Sequence, residues 1–169
     1  MFKQFVVGSI LLVSVISSAF AENVSTRFGP LEIKERTGAD EMMGNDVLHQ
    51  KKLLKFEEEN PGWFSVVKTY QIKENDILLI RLEMQALACP VQFYFVTVSN
   101  TGAKVSKSFG TCGDLIEVKQ APENDLIFVT MSGFQGSDES ETAQLKASKQ
   151  KHIFAFKNGL VKEVKNRKK

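Results

Sequence analysis

Between Asn75 and Lys119 the chain alternates apolar, β-branched runs with turn residues, and its two cysteines, Cys89 and Cys112, flank the densest run. VQFYFVTV (91–98) is short, aromatic and β-branched, which predicts a strand. The turn SNTG follows, with Asn100 and Gly102 suited to positive-φ hairpin positions, and AKVSKS (103–108) returns. Folding back at SNTG brings the residues just before and just after the pair together. A Cys89–Cys112 bond would then staple the hairpin near its open end.

The first residues set the compartment. A short basic start at Lys3 is followed by an apolar stretch from Phe5 to Ile16, then by small residues ending in Ala19-Phe20-Ala21. This is the pattern of a signal peptide cut between Ala21 and Glu22. The apolar core is shorter than the roughly 20 residues that span a bilayer, and no later run is long enough. The expectation is therefore a single exported domain over 22–169, in the periplasm or secreted, with no transmembrane segment. In that setting two cysteines without a CxxC spacing read as one disulfide rather than as metal ligands.

The full chain carries 22 basic and 20 acidic residues. Loss of Lys3 with the signal leaves a nearly neutral mature protein, which gives no electrostatic case for nucleic acid. The length suits one domain with a real core.

Taken in order, Leu31 to Lys34 alternates as a half-buried strand does, and Arg36 to Asp46 reads as a loop. For Val47 to Phe56 a tight hairpin turning at His49 to Lys52 fits, with a short amphipathic helix as the alternative. EEENPG (57–62) breaks the chain. Strands are expected over Trp63–Ile72, Ile77–Met84, Val91–Val98, Ala103–Ser108, Leu115–Lys119 and Leu126–Met131. A last pair, Ile153–Phe156 and Leu160–Val164, flanks Asn158-Gly159, the strongest hairpin signal present. The fold class is all-β: antiparallel hairpins in a sandwich or barrel-like arrangement, with at most one short helix, in Gln50–Glu59 or Thr142–Ser148.

The chain also echoes itself. END-ILLI-RLEM at Glu74–Met84 returns as END-LIFV-TM at Glu123–Met131, 49 residues later, whereas the hairpin asparagines Asn100 and Asn158 are 58 apart. A duplicated unit would thus carry about nine extra residues between Met131 and His152. A third echo pairs Phe28-Gly29 before LEIK with Phe109-Gly110 before IEVK. The competing account is that β proteins reuse turn chemistry.

Ala88-Cys89-Pro90, then VQFYFVTVSNTGAKVS, then Phe109-Gly110-Thr111-Cys112 resembles a module of uncharacterised exported proteins of Gram-negative bacteria. It covers about a quarter of the chain. The resemblance implies a periplasmic setting and a disulfide; no activity is attached to the module, so no functional residue comes with it.

Motifs for chemistry are sparse. The two histidines, His49 in a polar turn and His152 at a strand start, read as surface residues and have no HExxH or related spacing, so no metal or cofactor is expected. Gly133 to Ser137 has glycines but no nucleophile elbow. Carboxylates massed in turns, Glu57, Glu58, Glu59, Asp138, Glu139 and Glu141, read as solvated rather than as a glycosidase pair or a calcium loop. The expectation is a non-enzymatic binding or interaction module that meets an envelope protein. The alternatives are an inhibitor or immunity protein against an envelope-acting hydrolase, and a hydrolase with an unrecognised carboxylate site. The candidate binding surface is the segment Ser132–Lys151, with Phe134, Asp138, Glu139 and Glu141, which competes with a plain connector. Trp63 and Phe64 form a second candidate, against a role in core packing. Non-reduced protein should contain no alkylatable thiol by mass spectrometry, and reduction should cost about 3 kcal/mol in denaturant unfolding.

Overall fold

The computed structural model describes residues 22–36, 44–57, 62–85, 88–136 and 139–164. The expected signal peptide with Ala21, and also Asp138, lie outside them. The described strands make three open antiparallel sheets of four, each a meander in chain order. The first holds β1 (Glu22–Val24), β2 (Leu31–Glu35), β3 (Asn45–His49) and β4 (Lys52–Leu53). The central sheet holds β5 (Gly62–Ile72), β6 (Asn75–Met84), β7 (Val91–Ser99) and β8 (Gly102–Val105). The third holds β9 (Leu115–Ala121), β10 (Leu126–Ser132), β11 (Lys151–Lys157) and β12 (Leu160–Val164). The fold is all-β, and it is a sandwich: no sheet closes into a barrel. One α-helix, α1 (Glu141–Ser148), lies among the described residues, in the second of the two places allowed for it.

The sheets are stacked. Leu78, Ile80, Leu82, Tyr94, Val96 and Val98 pack on Leu31, Ile33 and Val47 of the first sheet. Their neighbours Ile77, Leu79, Phe93 and Phe95 point the other way, onto Ile127, Val129, Phe154 and Phe156 of the third. Successive strand residues face opposite sides, so β6 and β7 are apolar at nearly every position because both faces are covered. β5 serves both cores through a bulge at Val67. Before it, Phe64 joins the first core; after it, Tyr70 joins the second.

The β3–β4 hairpin settles the ambiguous segment 47–56. Its loop residues, Gln50 (φ 49°) and Lys51 (φ 65°), both take left-handed conformations without an asparagine or glycine to announce them. At Asn158-Gly159 the expected residues do so (φ 51° and 80°), while in SNTG only Gly102 has positive φ (114°) and Asn100 does not. The expected loop at Arg36–Asp46 ends sooner, because Asn45 and Asp46 belong to β3; residues 37–43 lie outside the described residues.

The echo has a structural counterpart. Its two copies supply the second strands of the central and third sheets, β6 and β10, and the Asn100 and Asn158 hairpins join the third and fourth strands of each. Facing agrees as well: Leu78 and Ile80, and their counterparts Ile127 and Val129, each point at the preceding sheet. The additional residues sit between β10 and β11 and include α1. The third echo has no such counterpart. LEIK is the second strand of its sheet and IEVK the first of its own.

Two polar ties join the first sheet to the central one. Asn45, buried, donates from Nδ2 to Phe64 O (2.9 Å) and accepts from Phe64 N, standing in for a strand neighbour. Asp76, also buried, accepts from Arg27 N (2.6 Å) and Arg27 Nε (2.7 Å), while the guanidinium caps Lys73 O and Asn75 O. Cys89 and Cys112 are bonded, with Cα atoms 4.8 Å apart, and join the β6–β7 connection to the β8–β9 connection. Asp76→Ala removes the acceptor shared by Arg27 N and Nε, while the partly exposed guanidinium keeps Lys73 O and Asn75 O, so it should cost about 1–2 kcal/mol, read from urea unfolding. Asp76→Asn, which keeps one acceptor oxygen, should cost less.

Candidate functional site

In a meander the first-to-second and third-to-fourth connections leave from one end of the sheet. Arg27 on Asp76 and the Lys73–Asp125 ion pair hold the three sheets with those ends together. The tight turns thus crowd one end of the molecule. The disulfide, α1 and the longer connections occupy the other.

At the turn end a cleft of about 560 Å³ opens between the central and third sheets. Tyr70, Ile77, Thr97 and Lys104 form one cross-strand row of the central sheet, on the face toward the third. Ile77, Thr97 and Lys104 line the cleft on one side; Asp125, Phe156 and Asn158 line it on the other. Phe93 and Phe95 precede Thr97 on the same face, so Thr97 stands where the shared apolar core gives way to the cleft. Asp125 is paired with Lys73. Lys104 is exposed and has no carboxylate within ion-pair distance among the described residues. A second cleft, of about 590 Å³, lies on the other side of the Asn100–Thr101 hairpin tip, against Phe28, Gln50 and Leu54.

Two buried side-chain oxygens have no hydrogen-bond partner among the described residues, Tyr70 Oη and Thr97 Oγ1, and both belong to this row. Burial pushes the Tyr70 hydroxyl up to about 12 because the phenolate loses its hydration. A raised pKa in the folded state means that this contribution to stability is whole below about pH 10 and lost as pH climbs toward 12. Tyr70→Phe should therefore flatten the decline of the urea midpoint above about pH 10, while changing neutral-pH stability by about 1 kcal/mol or less.

The residues singled out from the sequence fall in different places. Phe134 is half-buried at the far end, and Glu139 and Glu141 are exposed at the start of α1. Ser140 caps that helix, its Oγ accepting from Ala143 N, and Gln144 Nε2 donates to Glu139 O at 2.9 Å. Trp63 is half-buried on β5; Phe64 is buried against Phe56 (ring centroids 4.4 Å apart), so Phe64 belongs to the core and not to a surface. His49 is not the surface residue its polar neighbours suggest. It is buried at the end of β3, with Nε2 3.0 Å from Phe28 O. His152 pairs through Nδ1 with Glu163 Oε1 at 2.8 Å. Among the described residues no group of three or more His, Cys, Asp or Glu is placed to hold a metal ion, and no helix is long and apolar enough to cross a membrane. Thr97 and Lys104 escaped the sequence reading, although their signal exists: FYFV is followed by Thr97 on the face of Phe93 and Phe95, a polar residue where the pattern calls for an apolar one. Set against known proteins, the chain matches no family model, no curated protein and no solved structure.

Proposed function

We propose that this protein is an exported, non-catalytic binding module of the periplasm that engages an envelope protein through the α1 end. One observation carries the reading. α1 is a formed and capped helix that buries a single residue, Ala147, and leaves Leu145 57% exposed one turn after Glu141. A connector needs no such element, because β6 and β7 are joined across the same end by Gln85–Pro90 alone. A short ordered helix with an exposed leucine between Glu141 on one side and Lys146 and Lys149 on the other offers an apolar anchor and a charged rim, the anatomy of an interaction surface. The helix is seated against the residue that follows β10. Gly133 N donates to Gln150 O (3.0 Å), and Gly133 lies so close to Ala147 O that a Cβ there would stand 2.5 Å from it. The Cys89–Cys112 bond at this same end is compatible with an oxidising compartment.

The test is affinity capture from periplasmic extract with the mature protein and with Leu145→Glu. The expected result is one protein retained by the wild type and weakened about tenfold or more by the substitution, with unchanged circular dichroism. A partner held equally by both would move the binding surface elsewhere, and no retained protein would refute the reading. Replacing Gly136–Lys146 by a brief glycine-containing turn, which spares Ala147, should abolish capture at about 1 kcal/mol or less in stability.

A further inference from the structure

The two outward faces of the stack differ in kind. On the first sheet Glu32, Leu48 and Leu53 form one row, and the charges are answered locally, Glu32 by Lys34 and Asp46 by Arg36. On the third sheet Ile127, Val129, Phe154 and Phe156 point inward, so their neighbours along each strand point out. One outward row runs Lys119, Phe128, Ala155, Lys162; the next runs Glu117, Thr130, Ile153, Val164; and Lys157 stands opposite Leu160. Phe128, Ile153, Leu160 and Val164 belong to neither core, and Leu160 and Val164 are 66% and 42% exposed. The acid in these rows, Glu117, is held by Lys119 at 2.9 Å, while Lys157 and Lys162 have no carboxylate partner among the described residues.

Charge is segregated along the chain to the same effect. Residues 22–140 carry 12 Lys and Arg against 18 Asp and Glu. Residues 141–169, which include β11 and β12, carry nine against two, four of the nine lying beyond Val164 in sequence. Such segregation in a mature chain that is nearly neutral as a whole marks a surface for an anionic partner.

We propose that the outward face of the third sheet docks on an anionic phospholipid bilayer. Leu160, Val164 and Phe128 enter the headgroup region, and Lys119, Lys157 and Lys162 meet the phosphates. The lysines decide between a membrane and a protein. Lys162 stands between Leu160 and Val164 along β12, and Lys157 faces Leu160, so a protein laid on this face would have to dry both ammonium groups. Lysine is depleted from protein interfaces for that reason. At a bilayer its stem lies along apolar surface while the ammonium stays in the phosphate layer. A second copy of the chain fits less well, since two such faces would set lysines against lysines. Docking here does not require the partner proposed for α1.

The test is co-sedimentation of the mature protein with vesicles of phosphatidylglycerol and phosphatidylcholine in equal parts, and with vesicles of phosphatidylcholine alone. Partition into the anionic vesicles should exceed that into the neutral ones about tenfold or more and should fall at about 0.5 M salt, where the attraction is screened. Lys119→Gln, Lys157→Gln and Lys162→Gln together should weaken it about a hundredfold, about fivefold for each lysine. Leu160→Asp should weaken it about tenfold, with unchanged circular dichroism. Lys51→Gln, Lys52→Gln and Lys55→Gln together make the same change in net charge on the first-sheet side and should shift partition by about twofold or less. If the triple substitution that includes Lys119 fails to fold, the exposed Leu160 substitution decides. Equal partition into neutral vesicles, full partition by the Lys119-Lys157-Lys162 or Leu160 variants, or an equal loss in the first-sheet control would overturn the proposal. Absence of vesicle binding would overturn it too; self-association in light scattering, or retention of an acidic protein through the same lysines, would then assign the face to that partner.

Discussion

The structure depends on burying the central sheet on both faces. β6 and β7 contribute Ile77–Ile80, Leu82 and Phe93–Val96 to two cores at once, alternate residues going to each. Every Å² of apolar surface withdrawn in this way stabilises by roughly 25 cal/mol, and a two-sided strand withdraws about twice what a one-sided strand does. The outer sheets spend only one face each. On β2, Leu31 and Ile33 are buried while Lys34 is exposed and ion-paired with Glu32. The central sheet is thus the element on which the other two assemble.

Stacking sheets so closely leaves little room for side chains where edges meet, and small residues mark those places. Where the start of β3 meets the start of β5, a Cβ on Gly44 would lie 2.5 Å from Gly62 O. Polar groups at the same junctions are answered one for one. Asn45 takes both main-chain groups of Phe64, and Asp76 takes Arg27. Such ties add modest net stability but fix which sheet face meets which, because a shifted stack would strand a buried carboxylate or amide. Thr97 and Tyr70 stand out against this economy: their hydroxyls face the second core and its rim without answers.

The two ends of the stack differ in kind. The turn end holds four two-residue hairpins and the longer connections Ser25–Pro30 and Pro122–Asp125, tied across sheets by Arg27 and Lys73, and its clefts are gaps between sheets. The other end carries the connections whose lengths vary from one meander to the next, restrained by the disulfide and by the seat of α1 on Gly133. The central and third sheets share their strand order and a two-residue turn between third and fourth strands, and differ most in the connection between second and third strands.

Sequence by itself marked the strands other than β1, most of their turns and the disulfide, because these follow from local physics: period-two patterning, β-branched content, Asn-Gly chemistry and two cysteines without metal-ligand spacing. It also marked Ile77–Met84 as a buried run, since an unbroken apolar strand has no face left for water, whereas the burial of β7 on both faces comes from the stack. What it could not determine was anything decided by which face meets which. The Val67 bulge that sends Tyr70 into the second core, the burial of His49 under Phe28, the loss of Phe64 from the surface and the meeting of Thr97 and Lys104 with Asn158 all arise from contacts between residues distant in the chain. A side chain's surroundings in a sandwich come from the opposing sheet, and the register of that sheet is not written in its neighbours along the strand. The turn at Gln50-Lys51 is the local exception: its left-handed residues are held by the pairing of β3 with β4 rather than by their own preference.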